Sequence, residues 1–442
     1  MRTTQVGRSF TISSESASHL PFIRAMITRP FFASLLLAAP LAAQMPIPTT
    51  NARVTSALET VKADNAWTID QQISICEIPA PPFKETVRGL EYKRRLEALG
   101  LRNVKIDTAG NVIAERPGTG SGPTVVIAGH LDTVFPEGTG VHVKRDGTRL
   151  TAPGIGDDCR GLAVVLAVAR AFQNANVVTV GTVYFIGNVG EEGPGNLRGV
   201  RNLFNHEMKG KIDYFISVDG TGLDVTNRAV GSNRYKVTYK GPGGHSYGAF
   251  GRVNPIHALG RAIGAIGDVQ VPTSPKTTFN VGKVFGGTSV NSIPFEASAE
   301  IDMRSESAEA LQRLDTKVQK ILRNALAAEN ARWRAGTGEK AKLTLQIDTI
   351  GLRPANGMQT EKTSIVATAI AAGKALGFTP RTTTSSTDAN LPMSMRIPAI
   401  TIDGGGRGGD AHALTEWYDD TATGWLGPQW AILLGAALAG VK

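Results

Sequence analysis

Two histidines and a group of acids stand where apolar runs of this chain end. Val125–Ala128 leads into Gly-His130-Leu-Asp132, and Thr182–Ile186 into Gly-Asn-Val-Gly-Glu191-Glu192. Tyr214–Val218 leads into Asp219-Gly, and Ala399–Ile402 into a glycine-rich stretch that ends at His412. Asp157 lies in Gly-Ile-Gly-Asp157-Asp158, just before an apolar helical stretch. Imidazoles and carboxylates without cysteine form a borderline-hard nitrogen and oxygen donor set that suits zinc, with cobalt or manganese as alternatives. Five such residues can serve two adjacent cations, through one bridging carboxylate and two flanking ligands for each. A pair of cations clamps a water and a carbonyl oxygen together, which is hydrolytic chemistry. One acid must then stay unligated to take the proton of the water. Glu191, directly before Glu192, is placed for that role. Asp132, two residues after His130, projects to the same side of an extended chain. Its carboxylate is expected to hydrogen-bond the imidazole from behind and fix the tautomer.

The elements that must position these residues are legible from hydrophobic spacing. Residues 52–63 and 84–99 carry helical apolar periodicity, and 160–173 and 362–377 read as further helices. Residues 111–115, 124–128, Thr182–Ile186, Tyr214–Val218 and Ala399–Ile402 read as strands. Apolar strands alternating with helices imply an α/β sheet with both faces covered. In such a sheet, residues distant in sequence converge outside the carboxyl ends of the strands.

The middle of the chain has a different rhythm. It reads strand Tyr235–Tyr239, helix Asn254–Ile266, strands Thr277–Phe285 and Glu296–Met303, helix Ala308–Glu329 and strand Lys342–Ile347. That β-α-β-β-α-β order is the split, ferredoxin-like unit. The expected layout is a catalytic domain from 48–231 and 349–442, interrupted by a small α+β domain at 232–348. No internal repeat is present.

At 442 residues, with 41% apolar and 19% charged residues, the chain suits a two-domain globular protein. Arg29, an apolar run from Pro30 to Ala43 and small residues at its end resemble a secretory signal cleaved near Ala43. The run is too short for a confident membrane span. This makes 1–43 a leader and the expected location secreted or periplasmic, with translation beginning at Met1 or Met26. The net charge is +9, and the first 43 residues carry four Arg and one Glu, which leaves the remainder near +6. No Lys/Arg cluster with interleaved aromatics occurs, so nucleic-acid binding is not expected. Cys76 and Cys159 lack zinc-knuckle spacing; an export signal permits a disulfide between them without demanding one.

Taken in order, Gly129-His130-Leu-Asp132-Thr-Val, Gly154-Ile-Gly-Asp157-Asp158, Glu191-Glu192-Gly, Ser217-Val-Asp219 and Gly408-Gly-Asp-Ala-His412 resemble the M20 metallopeptidase family. That family includes glutamate carboxypeptidases, aminoacylases and the tripeptidase peptidase T, and the resemblance spans roughly residues 50–442. It implies a co-catalytic site with two zinc ions per subunit. Asp157 would bridge them, Glu191 would be the general base, and His130 and His412 would serve separate metals, with Glu192 and Asp219 divided between them. The usual Asp-Asp-Lys-Gly or Asp-Met-Lys-Gly is Asp157-Asp158-Cys159-Arg160-Gly161 here. Asp157 is preferred as the bridge, and Asp158 as the N-cap of the 160–173 helix.

The resemblance extends to the inserted unit, which it identifies as a dimerisation (lid) domain, so a homodimer is implied. His245 in Gly241-Pro-Gly-Gly-His245-Ser resembles the histidine that reaches a partner's active site to steady the oxyanion. Asn291 in Val-Asn-Ser-Ile-Pro and Arg304 in Asp-Met-Arg-Ser resemble substrate-binding residues, and Arg304 would suit a substrate carboxylate. Ser386-Thr-Asp388-Ala-Asn390 resembles a substrate loop.

The implied function is hydrolysis of an amide bond in short peptides, or alternatively in N-acyl amino acids. A non-catalytic binding module would lack the base or a ligand, and none is missing. A nucleotide-binding α/β protein would show Gly-x-Gly-x-x-Gly between strand and helix, and none occurs. His142, His206 and His257 have no acidic company in a motif and read as structural; His19 falls in the leader.

Overall fold

The computed structural model describes residues 44–335, 342–355 and 359–442, so the expected leader lies outside the described residues. Eight strands form the larger sheet, in the order Arg102–Ile106, Val112–Arg116, Val183–Asn188, Val125–His130, Tyr214–Val218, Ala399–Ile402, Val225–Ala229 and Thr382–Ser385. The four central strands run parallel. Each is apolar and almost wholly buried, as strands covered on both faces must be. Their register aligns His130 with Asn188 and Val218 with Ile402. The segments carrying Asp132, Glu191, Glu192, Asp219 and His412 therefore all leave the sheet at one end.

The helix Cys159–Asn174 packs against this sheet and is buried along nearly its whole length. Asp158 caps it by accepting a hydrogen bond from the Gly161 amide at 3.0 Å. A side chain at Gly161 would meet the Asp158 carboxylate and the Val218 carbonyl at 2.1 Å, so only glycine lets the helix start this close to the sheet.

The second sheet has four antiparallel strands, ordered Thr277–Gly286, Glu296–Ser305, Gly231–Lys240 and Thr344–Arg353. Helices Pro255–Gly267 and Ala308–Arg332 contribute to its separate apolar core, around Val237, Tyr239, Leu259, Met303, Val318 and Leu322. Its last strand runs on to Arg353 rather than stopping at Ile347. A small sheet of Lys144–Asp146, Arg149–Thr151, Arg407–Gly409 and Trp417–Asp419 flanks the loop that carries His412. Among the described residues no helix is long and apolar enough to cross a membrane.

Candidate metal centre

His130 is the last residue of its strand and is 1% exposed. Its Nδ1 lies 3.0 Å from the main-chain carbonyl of Asp132, which leaves Nε2 facing Asp157 Oδ1 at 2.9 Å. The other oxygen of Asp157 meets His412 Nε2 at 3.1 Å, and His412 Nε2 is 2.9 Å from Glu192 Oε1. Three ligand groups result among the described residues, each with donor atoms within 4.8 Å of one another: His130, Asp157 and Asp219; Asp157, Glu192 and His412; and His130, Glu191 and Glu192. Asp157 is common to the first two. His412 and Asp410 adopt left-handed backbone at φ 68° and 57°, a conformation held by surrounding structure at functional sites.

The electrostatics fit a pair of cations. Burial pushes the carboxyls of Asp219 and Glu192 above their ordinary range, and the charge of Asp157 pushes them further. Burial acts the same way on Asp157, but hydrogen bonds from His130 and His412 overcome it and hold that carboxyl well below its usual value. Hydrogen bonds to Asp157 and Glu192 raise His412 to about 10. Burial opposes protonation of His130, yet Asp158, Asp157 and Asp132 outweigh it and raise that pKa too. The positive charge that the cluster gathers as protons is charge that divalent cations would supply instead.

Asp132 works differently from expectation. Its carboxylate does not hold the imidazole; Oδ1 is 3.8 Å from Nδ1, and the main-chain carbonyl fills that role. The carboxylate instead accepts the amides of Gly190 at 2.7 Å, Glu191 at 3.2 Å and Glu192 at 2.8 Å. The reason is geometric: the loop after Val183–Asn188 turns back over Asp132, with Gly190 at φ 71°, and presents three successive N–H groups to it.

Two residues that touch the site lie outside the sequence motifs. Glu416 is buried, accepts the amides of Gly156 and Asp157 at 2.8 Å and Gly154 at 2.9 Å, and so holds the loop of Asp157. Burial raises its pKa to about 7 against those hydrogen bonds. Arg353, buried at the end of its strand, donates from Nη1 to Glu191 Oε1 at 2.8 Å and to Ser386 Oγ at 3.1 Å, and from Nη2 to the Glu191 carbonyl. A faint signal was available for each: an acid four residues past His412, and an arginine before a proline at a strand end.

His245 and Asn291 lie together on the smaller domain. Strand Gly244–His245 pairs with Ser292–Ile293, and the Ser246 amide donates to the Asn291 carbonyl at 2.9 Å. Both are exposed, and the Gly248 amide donates to His245 Nδ1 at 3.2 Å. Arg304 is half-exposed and donates to Asp302 at 2.8 Å. Among the described residues none of the three joins a ligand group. Asp388 is fully buried and accepts from Asn188 Nδ2 at 2.6 Å; burial, with Glu191 adding to it, raises it to about 8.

Comparison with known proteins agrees with this geometry. The protein YqjE of Bacillus subtilis is 28% identical over 354 residues, covering 76% of this chain and 89% of YqjE. A succinyl-diaminopimelate desuccinylase of Bordetella avium is 31% identical over 250 residues, covering 52% of this chain and 65% of that enzyme. The crystal structure of YXEP from Bacillus subtilis, described as a dinuclear metal binding peptidase, matches with a TM-score of 0.62 at 19% identity, over 86% of this chain and 99% of that one. Residues 126–424 match the model of peptidase family M20/M25/M40. The chain belongs to that family and is a metal-dependent hydrolase.

Proposed function

We propose that this hydrolase cleaves the amide bond of short peptides using two zinc ions. The observation that carries the reading is the sharing of Asp157 between two three-residue ligand groups, with Glu191 beside them. His130 and Asp219 would hold one ion and Glu192 and His412 the other. Bound there, the ions would polarise the amide carbonyl and acidify a water. Glu191 takes the proton of that water and returns it to the leaving amine. Arg353 engages one carboxylate oxygen and the carbonyl of Glu191, which fixes the side chain in its place. Asp132 fixes the same loop from the other side through its amides. N-acyl amino acids are the second reading, favoured by the desuccinylase relative.

Smaller-domain residues complete the reading. Among the described residues the strand Thr277–Gly286 is an unpaired edge, with Val284 and Phe285 more than half exposed, at 57% and 52%. Such an edge suits pairing with a second copy. We therefore assign a homodimer, in which His245 and Asn291 of one copy serve the other's site and Arg304 takes the substrate carboxylate. The chain acts outside the cytoplasm after cleavage near Ala43.

The test is turnover of dipeptides, tripeptides and N-acyl amino acids after metal analysis, with and without a chelator. Peptide turnover that is lost with chelator and restored by zinc is expected. Turnover confined to acyl amino acids would replace the first reading by the second. Glu191→Gln should lower kcat by about 10²–10⁴ with both ions retained; unchanged turnover removes Glu191 from the reaction.

A further inference from the structure

Two thiols lie against the Asp157 loop and take no part in the chemistry above. Cys76 ends the helix Asn65–Cys76, Cys159 opens the helix Cys159–Asn174, and both are fully buried. They meet consecutive residues at the start of that loop. Cys76 Sγ donates to the Pro153 carbonyl at 3.5 Å, and the Cys159 amide donates to the next carbonyl, that of Gly154, at 3.1 Å. Both cysteines belong to one buried cluster. Their surroundings are apolar: Ile69, Val143, Leu150, Ile155 and Tyr418. Neither sulfur belongs to any metal-holding group among the described residues. A disulfide requires cysteines that approach across a short gap, and these two pack in one cluster against consecutive residues of the chain.

We propose that Cys76 and Cys159 are a covalent modification site, closing to an intramolecular disulfide that ties the helix Asn65–Cys76 to the loop carrying the bridging carboxylate. The oxidant is a disulfide, either an oxidised thiol oxidoreductase or oxidised glutathione. One cysteine thiolate attacks a sulfur of the oxidant and forms a mixed disulfide; the second displaces the oxidant and closes the internal bond. The oxidant's S–S bond breaks, it takes two electrons, and the two thiol protons leave with its two reduced sulfurs. Both cysteines are sealed from solvent in the fold, so exchange takes place while the chain folds. The helix already grips this loop through Gln72 Nε2, which donates to the Ile155 carbonyl at 2.8 Å. The covalent link makes that grip permanent and holds Gly154–Asp157 in place when the ligands are empty.

The test uses the full chain, reduced and unfolded, then refolded in a buffer dominated by oxidised glutathione. Free thiols are trapped with an alkylating agent in denaturant and the peptides mapped by mass. The expected product is a Cys76–Cys159 linked peptide with neither cysteine alkylated, reverting to two alkylated cysteines after reductant. The linked chain should recover the circular dichroism of the reduced chain and release bound zinc to a chelator several-fold more slowly than Cys159→Ser. Two free thiols, or a glutathione adduct without the internal link, would overturn the proposal. So would a link found only in chains that fail to refold. The mapping uses the unaltered chain, so a folding defect in the variant leaves it decisive.

Discussion

The two loops that supply the metal centre are built alike and anchored differently. Gly190–Glu192 and Gly154–Asp157 each hang three backbone amides on one buried carboxylate, Asp132 in the first and Glu416 in the second. Buried N–H groups need acceptors, and a carboxylate with two oxygens satisfies several at once. The first loop is also gripped by the smaller domain: Arg353 holds Glu191, and Arg234 donates to the Gly193 carbonyl at 3.4 Å. The second is gripped by the helix Asn65–Cys76. One half of the centre therefore answers to the smaller domain, and the other is fastened to the body of the larger one. Under the proposed roles, the comparison separates a loop that carries the base together with one ligand from a loop that carries only a shared ligand.

The largest effect that could break this comparison is at Asp132. Asp132→Ala strands three buried amides and loosens base and ligand together, so kcat/KM should fall about a thousandfold, the equivalent of about 4 kcal/mol. Steady-state kinetics with metal analysis checks it, and a loss under tenfold would show that the loop keeps its shape unaided. Next, Arg353→Met should lower kcat about a hundredfold while metal content stays whole and KM moves little. A rise in KM with kcat retained would make Arg353 a substrate ligand instead. Glu416→Gln should spare the base and weaken metal affinity about 10- to 100-fold, read by competition with a chelator.

The smallest effect is one of pH, in the metal-free protein. The folded pKa of Glu416, at about 7, lies above its ordinary value of 4.5. The folded state thus binds the proton more tightly than the unfolded chain. This stability is fully present below about pH 4.5 and is lost as pH rises through about 7. Thermal melts from acid to neutral pH should show that decline, and Glu416→Gln should flatten it.

Much of this was legible in the sequence, for identifiable reasons. The central strands announce themselves because double-sided burial forces near-continuous apolar runs such as Val-Val-Ile-Ala before His130. The candidate ion-holding residues are legible because glycines and acids crowd the ends of those runs. The helix Asn65–Cys76 escaped because its buried face includes Thr68 and Gln72, which mimic a polar surface. The helix Leu426–Ala439 escaped for the opposite reason, since it is apolar on every side and shows no period. The strand Val225–Ala229 carries Thr226, Asn227 and Arg228, and no run marks it. Asp132 was identified, but its task was assigned to the wrong atoms, because spacing along a strand says nothing of a loop that folds over it. Glu416 and Arg353 act on residues far away in sequence, and only the closed fold brings them there.

Arg353 stands at the tip of a ten-residue strand. A strand of that length reaches about 33 Å and is stiff along its axis. Whatever grips or tilts the far end near Thr344 is delivered, as by a pushrod, to the oxygen of Glu191. The base proposed here is thereby geared to the posture of a domain that, among the described residues, contributes to no candidate ion-holding group.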